Sequence, residues 1–179
     1  DGGAGVDTLT VGGTSVENSV TITSSGSVLL KPASGDSAVV LNDVERIAFE
    51  DGTLAFDDEG LAGQAYRLYQ ACFDRTPDVE GLGFWIKLLD DGAIDLNQAA
   101  NFFLASDEFA TVYGPPNDLS DIHYLALLYA NVLDRPPDLD GFSFWRSAQE
   151  SGITRADMLV FFSESAENVA QVAPAIDDG

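Results

Sequence analysis

The sequence contains few of the residues on which common active sites and covalent scaffolds depend. Cys72 is the only cysteine and His123 is the only histidine. A single cysteine cannot form a disulfide within the chain or build a cysteine-based zinc site, and we expect Cys72 to be a small buried residue. No nucleophile motif accompanies His123, and the sequence contains neither H-E-x-x-H nor a phosphate-binding loop. We therefore expect a chain without catalytic residues, which is not an enzyme.

Positive charge is also scarce. Eight Lys and Arg residues stand against 30 Asp and Glu residues, which gives a formal net charge of −22. Nucleic acid and anionic membranes are bound by clustered Lys and Arg, so the charge argues against both as partners. The acids favour calcium ions or cationic partners, and they are equally compatible with a solvated surface that keeps the protein soluble. No apolar run approaches the ~18 residues of a membrane span.

The longest pattern in the sequence occurs twice. LYQACFDRTPDVEGLGFW (68–85) and LYANVLDRPPDLDGFSFW (128–145) are identical at nine of 18 positions, with an offset of 60 residues. Similarity returns at FFLASDEF (102–109) and FFSESAEN (161–168) with an offset of 59, so one residue is missing from a loop between the two segments. A repeat of this length predicts two copies of one supersecondary unit. Because the chain starts at Asp1 and not at Met, we also expect it to be part of a longer protein.

The two parts of the chain predict different secondary structure. Short apolar runs between turn residues predict strands at 8–11, 20–23, 28–30 and 38–41, followed by a hairpin within 44–56. From Leu61 the apolar spacing is helical, and each copy contains signals for four helices. The sequence therefore predicts an α+β fold. An N-terminal antiparallel β segment, a β-roll end or a small β-sandwich, occupies residues 1–58, and an all-α domain of two similar four-helix units occupies residues 59–179.

The first candidate metal site lies near the start of the chain. Residues 2–10, GGAGVDTLT, match the nine-residue pattern of calcium-binding β-rolls. Gly3 and Gly5 permit tight turns that direct carbonyl oxygens inward, and Asp7 supplies a carboxylate. The next nine residues are degenerate, with Ser15, Glu17 and Ser19 at the positions of the third Gly, the Asp and the apolar residue. The pattern predicts either calcium at Gly3, Gly5 and Asp7 or a Gly-rich hairpin that binds no metal.

The second candidate metal site is the motif D-R-x-P-D, present in both copies. It brings three acids into one helix–helix turn of each copy, and three acids can hold a hard cation. These acids are Asp74, Asp78 and Glu80 in the first copy and Asp134, Asp138 and Asp140 in the second. The alternative, which we favour, is structural: Asp78 and Asp138 begin helices, and Arg75 and Arg135 pair with such an acid or with helix-end carbonyls.

An aromatic pair ends each long repeat. Phe84-Trp85 and Phe144-Trp145 occupy equivalent positions in the two copies. Large aromatic side chains dominate protein cores, so we predict that both pairs anchor the core. The alternative is an exposed platform for a ligand.

The two repeats, together with the segments FLASDEF and FFSESAEN, resemble the domain-of-unknown-function 4214 family over about residues 61–170. Their D-R-x-P-D core resembles phycobilisome linker domains more distantly. GGAGVDTLTVGG, followed by NDVERIAFEDGTLAFD, resembles the end of an RTX (hemolysin-type calcium-binding) repeat tract and the β segment after it. The resemblance implies a large bacterial protein exported by type I secretion into a calcium-rich setting, for example an adhesin or a hydrolase. It implies no catalytic residue.

The sequence and these resemblances lead to one main functional hypothesis. We expect a non-catalytic, calcium-dependent structural or adhesive module of a secreted RTX-type protein, located outside the cell or at its surface. Calcium ions are the expected cofactor, and a cell-surface polysaccharide or protein is a candidate partner. Two alternatives remain open at this stage. One is a carbohydrate- or peptide-binding module, and the other is an accessory domain of a secreted hydrolase.

Overall fold

A computed structural model describes residues 5–23, 27–33, 35 and 37–177. The chain separates into two compact units, residues 1–57 and residues 58–179. The first contains β-strands and the second contains helices, which confirms the predicted α+β fold class. Gly3, one of the predicted calcium ligands, lies outside the described residues.

The β unit contains two three-stranded sheets, ordered β1-β5-β6 and β2-β3-β4. Their strands are β1 (Thr8–Thr10), β2 (Ser19–Ile22), β3 (Val28–Lys31), β4 (Val39–Leu41), β5 (Arg46–Ala48) and β6 (Thr53–Ala55). Alternation along β3 and β5 directs Val28, Leu30 and Ile47 into one small core, to which Phe49 also belongs. The two sheets therefore bury a common set of apolar side chains.

One strand pairing differs from the predicted antiparallel segment. β1 pairs with β5 in parallel, with Leu9 opposite Ile47, whereas the other three pairings are antiparallel. Parallel neighbours need a long crossover connection, and the β2-β3-β4 sheet lies between β1 and β5 in the chain. The sequence could not reveal this pairing because an alternating pattern gives a strand's buried face but not its direction.

The helical unit contains four helices in each copy, as the repeat predicted. The first copy comprises α1 (Leu61–Phe73), α2 (Val79–Asp90), α3 (Leu96–Leu104) and α4 (Asp107–Tyr113). The second comprises α5 (Asp121–Leu133), α6 (Leu139–Glu150), α7 (Arg155–Ser163) and α8 (Ala166–Asp177). The missing residue lies where it was expected, since residues 91–95 connect α2 to α3 but only residues 151–154 connect α6 to α7. None of the described helices is long and apolar enough to cross a membrane.

The helix starts are encoded by polar caps. Asp95 and Thr154 each form a reciprocal capping box with the residue three positions later, Gln98 and Asp157. Ser106 caps α4 in the same manner without the reciprocal bond. These caps satisfy backbone N–H groups that have no partner inside a helix.

One hydrophobic core joins the two copies. α1 packs against α2, α3, α4, α5, α7 and α8 and is therefore central to the unit. Leu68 of α1, Phe103 of α3, Leu125 of α5 and Leu159 of α7 are among its fully or nearly fully buried side chains. Cys72 is buried in the same core, and this burial raises the pKa of its thiol. Its predicted role as a small buried residue is confirmed.

A buried ion pair crosses between the copies. Arg67 of α1 is 3% exposed. It donates to both carboxylate oxygens of Glu164, the C-cap of α7, at 2.9 and 2.7 Å. Its remaining Nη1 donates to the carbonyl of Asp58 at 2.7 Å. The positions equivalent to Arg67 and Glu164 in the other copy hold Leu127 and Ala105, so the pair exists once.

We expect Glu164→Ala to destabilise the helical unit by about 2–4 kcal/mol, because it leaves the buried Arg67 guanidinium without its carboxylate. The magnitude is below that of a fully enclosed pair, because the Glu164 side chain is 24% exposed. Glu150→Ala is the matched control, since Glu150 pairs with Arg146 at the surface, and we expect it to cost less than about 0.5 kcal/mol. Equal losses in urea unfolding would contradict a special role for the buried pair.

Two helical glycines give opposite predictions for the same substitution. A Cβ on Gly63 of α1 would lie 1.7 Å from the backbone carbonyl oxygen of Asp58, whereas a Cβ on Gly83 of α2 would meet nothing within 4 Å. We expect Gly63→Ala to cost about 1–3 kcal/mol through overpacking. We expect Gly83→Ala to stabilise by about 0.5–1 kcal/mol, because Ala lowers the entropy of the unfolded chain. Thermal unfolding of both variants tests the pair, and a neutral Gly63→Ala would show that α1 does not approach Asp58 closely.

Candidate functional site

Each copy joins its first two helices through the same turn. Asp74 and Asp134 are the C-caps of α1 and α5, and both adopt the left-handed conformation, with φ of 51° and 48°. This conformation terminates a helix, and Asp adopts it more readily than most residues with a side chain. Four residues later Asp78 and Asp138 cap α2 and α6, where their Oδ1 atoms accept bonds from the third helical N–H at 2.7 and 2.8 Å.

An arginine connects each turn to the last helix of its own copy. Arg75 Nε donates to Glu108 Oε1 at 2.7 Å. Arg135 donates to both carboxylate oxygens of Glu167, at 2.7 and 3.0 Å. Glu108 and Glu167 lie in the first turns of α4 and α8. Each hydrogen bond to the glutamate raises the pKa of the arginine, and the bond from Arg135 lowers the pKa of Glu167.

A tyrosine completes this arrangement in the first copy. The Arg75 guanidinium lies 4.9 Å from the ring centroid of Tyr69, and Arg75 Nη2 donates to the Tyr69 hydroxyl at 2.6 Å. The same hydroxyl donates to Asp78 Oδ2 at 3.0 Å. We call the set of Tyr69, Arg75, Asp78 and Glu108 the first turn clamp.

The second turn clamp contains Tyr129, Arg135, Asp138 and Glu167. Arg135 lies 5.1 Å from the Tyr129 ring centroid, as Arg75 does over Tyr69. Here the arginine reaches Asp138 directly, with Nη1 at 3.3 Å from Oδ2. Arg135 therefore hydrogen-bonds both acids, whereas Arg75 Nη2 hydrogen-bonds the Tyr69 hydroxyl and lies 3.5 Å from Asp78 Oδ2.

Asp78 and Asp138, two of the acids predicted as possible metal ligands, already have hydrogen-bond partners in the clamps. The two carboxylate oxygens of Asp78 accept from Gly81 N and the Tyr69 hydroxyl, and those of Asp138 accept from Gly141 N and Arg135. These bonds also lower the pKa of both aspartates, with the backbone N–H bond as the largest cause in each case. Calcium at either turn would have to displace them.

The other four acids of the motif lie around the clamps. Asp74 and Asp134 are the C-caps described above, and Glu80 and Asp140 are exposed on the first turns of α2 and α6. No group of three His, Cys, Asp or Glu side chains able to hold a metal ion occurs among the described residues. The geometry favours the structural interpretation of the motif, and a metal at these six acids stays a prediction.

The N-terminal motif differs from the clamps because one of its carboxylate oxygens is buried and has no hydrogen-bond partner. Gly5 adopts a φ of 116°, a backbone conformation that suits glycine. The main chain of Asp7 hydrogen-bonds Glu45 and Arg46, at the start of β5. Its N–H donates to Glu45 Oε2 at 2.9 Å, and its carbonyl accepts from Glu45 N and Arg46 N. Its carboxylate oxygen Oδ2 is buried without a hydrogen-bond partner. Such an oxygen is costly to bury unless a donor or a cation satisfies it.

The degenerate second nonapeptide uses its polar residues to form a turn. Glu17 Oε2 accepts from Thr14 N at 2.9 Å, and Ser15 donates to the Asp51 carboxylate through both its N–H and its hydroxyl. The bond from the Ser15 backbone is the main cause that lowers the pKa of Asp51. These contacts hold the segment against the β5–β6 turn, and they occupy oxygens that a complete roll site would need.

In each aromatic pair, one ring faces the core and the other faces solvent. Trp85 and Trp145 are partly buried and pack against the core, as predicted. Phe84 and Phe144 are exposed, so their prediction as core anchors is wrong. Both phenylalanines lie one residue before the tryptophan on α2 or α6, and a step of one residue turns a side chain by about 100° around a helix. That rotation places Phe on the outer face when Trp faces inward.

The last residues to place are His123 and the glutamates that bind the two arginines. His123 is exposed on the first turn of α5, and its backbone N–H donates to the capping Ser120. Glu108 and Glu167 were not predicted as partners of the arginines. The signal was present, because these glutamates occupy equivalent positions in the FFLASDEF and FFSESAEN segments.

The first turn clamp predicts a stability difference that depends on pH. Tyr69→Phe removes the hydroxyl between Arg75 and Asp78, and we expect a loss of about 1 kcal/mol at neutral pH. The Gly81 backbone N–H is the largest cause that holds the folded pKa of Asp78 below its ordinary value, and the bond from the Tyr69 hydroxyl lowers this pKa further. The contribution of this bond is therefore complete above the unfolded pKa near 3.9, and it disappears as the pH falls through the lowered folded pKa.

Tyr129→Phe is the internal control, because Arg135 contacts Asp138 directly in the second clamp. We expect a smaller loss for this variant, and we expect a carboxyl NMR titration to show a higher Asp78 pKa in Tyr69→Phe only. An equal effect of both variants on stability and on the aspartates would refute the role of the Tyr69 hydroxyl.

Comparison with known proteins supports the helical domain. Residues 99–172 match the model of a family described as "Domain of unknown function (DUF4214)". No curated protein and no solved structure matches the chain. The matched segment contains the second turn clamp, while the first D-R-x-P-D motif lies before it. The similarity to an RTX tract in the N-terminal segment stays a prediction, and over residues 99–172 the chain is similar to the DUF4214 family.

Proposed function

We propose that the chain is a non-catalytic, calcium-dependent structural or adhesive module of a large secreted protein of the RTX type. In this proposal the β unit binds calcium through its N-terminal motif, and the helical unit is a rigid body that displays a surface. The site of action is outside the cell or at its surface, where calcium is abundant. The observation that carries the proposal is the buried, unpartnered Oδ2 atom of Asp7.

Calcium suits the surroundings of Asp7. It prefers oxygen ligands from carboxylates and backbone carbonyls. The Glu45 carboxylate lies next to Asp7, since it accepts the Asp7 N–H, and Gly5 provides the backbone conformation typical of a tight turn. A cation bound to Oδ2 would supply the partner that the protein itself does not supply. A module that folds only when calcium is bound remains unfolded in low cytosolic calcium and folds after export.

The helical unit supports the structural part of the proposal. The polar residues that its repeat retains in both copies form the two turn clamps, in which they connect helices to each other. The residues of the clamps therefore act on stability and on the arrangement of the helices. This is the chemistry of a scaffold.

A second candidate function is a carbohydrate- or peptide-binding module. Exposed aromatic side chains at equivalent positions of both copies favour it, namely Phe84 and Phe144. This candidate is compatible with the first, because an adhesive module also needs a surface that binds a partner.

The calcium proposal predicts a large thermal shift. We expect the melting temperature of the whole chain to rise by about 5–10 °C between EDTA and calcium at 100 times the dissociation constant, since one bound ion then adds about 2.7 kcal/mol. Asp7→Asn should abolish the shift, because an amide is a poorer calcium ligand than a carboxylate. Asp118→Asn removes the same charge from an exposed loop of the helical unit, and it should leave the shift unchanged.

Two results would overturn the calcium proposal. The first is a chain whose melting temperature is the same in calcium and in EDTA. The second is a shift that survives Asp7→Asn but is lost in Asp78→Ala or Asp138→Ala, which would place the ion in the turn clamps.

A further inference from the structure

Each copy of the helical unit exposes a cluster of three aromatic rings, which we call an aromatic patch. The first patch contains Phe84, Trp85 and Phe102, and the second contains Phe144, Trp145 and Phe161. The four phenylalanines are 57, 56, 64 and 57% exposed, in that order. Groups of exposed apolar side chains are unusual on soluble proteins and mark interaction surfaces more often than single ones do.

The geometry of the two patches is nearly the same. The outer Phe of α2 or α6 meets its Trp at 5.2 Å between ring centroids and at 80° between ring planes in both copies. The Trp lies 6.0 Å from Phe102 in the first copy and 5.9 Å from Phe161 in the second. On its inner side it contacts a buried ring, Phe103 or Phe162. Each Trp therefore fixes the exposed rings onto the hydrophobic core.

The positions around the patches differ between the copies. Ile86 and Lys87 follow the first Trp, whereas Arg146 and Ser147 follow the second. An exposed phenylalanine adds little to the folded state, because most of its ring remains in water. Four such residues at equivalent positions of the two copies are therefore better explained by binding than by stability.

The charge around the patches restricts the partner. Glu80 lies one helical turn before Phe84, and Asp140 lies one turn before Phe144, so each acid shares a helix face with the outer ring. Neither acid takes part in a hydrogen bond or an ion pair within the part of the chain that the structure describes, and both are exposed. They are free to bind a cation of a partner.

The positive charges of the helical unit are already engaged. It has six Lys and Arg residues in residues 59–179 against 20 acids, and every one of the six is paired with an acid of the same unit. Two copies of this chain would meet at these patches with like charge, and an anionic partner would find no unpaired cation. A partner with positive charge matches the surface.

We propose that the two aromatic patches bind a basic amphipathic protein segment, one segment at each patch. Aliphatic side chains of the segment pack against the exposed phenylalanines, and its Lys or Arg side chains pair with Glu80 or Asp140. The outer Phe and its Trp meet edge to face and do not form one flat surface, and this arrangement suits aliphatic side chains better than the flat face of a sugar. The proposal rests on the adhesive part of the proposed function and names the class of its partner, and it does not require the calcium site.

The stoichiometry of binding tests the proposal. Isothermal titration of the whole chain with a 14-residue amphipathic helical peptide of Leu and Lys should give two bound peptides per chain. Phe84→Ser and Phe144→Ser should each leave one, and the double variant should leave none. Val112→Ser is the matched control, since Val112 of α4 is also 57% exposed but lies outside both patches, and it should still bind two. All variants should melt like the parent chain, because the substituted side chains are exposed.

Four outcomes would overturn the proposal. In the first, a lysine-only peptide of the same charge binds as well as the amphipathic peptide, and in the second, Val112→Ser abolishes peptide binding. In the third, the patches bind a neutral glucan oligosaccharide instead of the peptide. In the fourth, sedimentation shows that the chain self-associates through the patches. The titration is performed in calcium and in EDTA. If the chain binds no peptide but its melting temperature still rises in calcium, the patch proposal alone is refuted. If it binds the peptide but its melting temperature does not rise in calcium, the calcium site alone is refuted.

Discussion

The arginine of each turn clamp is the side chain that connects the most helix ends within its copy. Arg75 and Arg135 each connect the turn between the first two helices to the start of the fourth helix of the same copy. One side chain therefore fixes the ends of three helices, and the flat guanidinium also lies over a tyrosine ring that belongs to the core. Lysine could not replace it, since it lacks both the planar shape and the several fixed donors.

The repeat made much of the helical unit predictable. Offsets of 60 and 59 residues, capping residues and helical spacing gave eight helices and located the missing residue in the correct loop. The partners of the arginines were harder to predict, because Glu108 lies 33 residues after Arg75 and no local rule connects them. The Arg67–Glu164 pair was beyond prediction. It spans 97 residues and has no equivalent in the other copy, so neither sequence spacing nor internal comparison points to it.

Two predictions failed because the sequence pattern does not determine which way a side chain or a strand points. Trp85 and Trp145 face the core, and the helical rotation of about 100° per residue then carries Phe84 and Phe144 outward. The dipeptide Phe-Trp is apolar throughout, so composition alone could not separate the inner ring from the outer one. In the β unit, the alternation of Thr8–Thr10 and Arg46–Ala48 fitted either strand direction. The long connection through a second sheet permits the parallel pairing that the structure shows.

Charge has different uses in different parts of the chain. In the turn clamps, acids and arginines neutralise each other and hold helices together, which leaves no cation for an anionic ligand. Beside the aromatic patches, Glu80 and Asp140 are near exposed rings and remain unpaired. At Asp7, a carboxylate oxygen is buried without any partner at all. A net charge of −22 therefore does not describe one uniform acidic surface. The clamp acids hold helices together, whereas Asp7, Glu80 and Asp140 retain oxygens that can bind. These three acids are therefore better candidates than the clamp acids for the interactions of an adhesive module with ions and with other proteins.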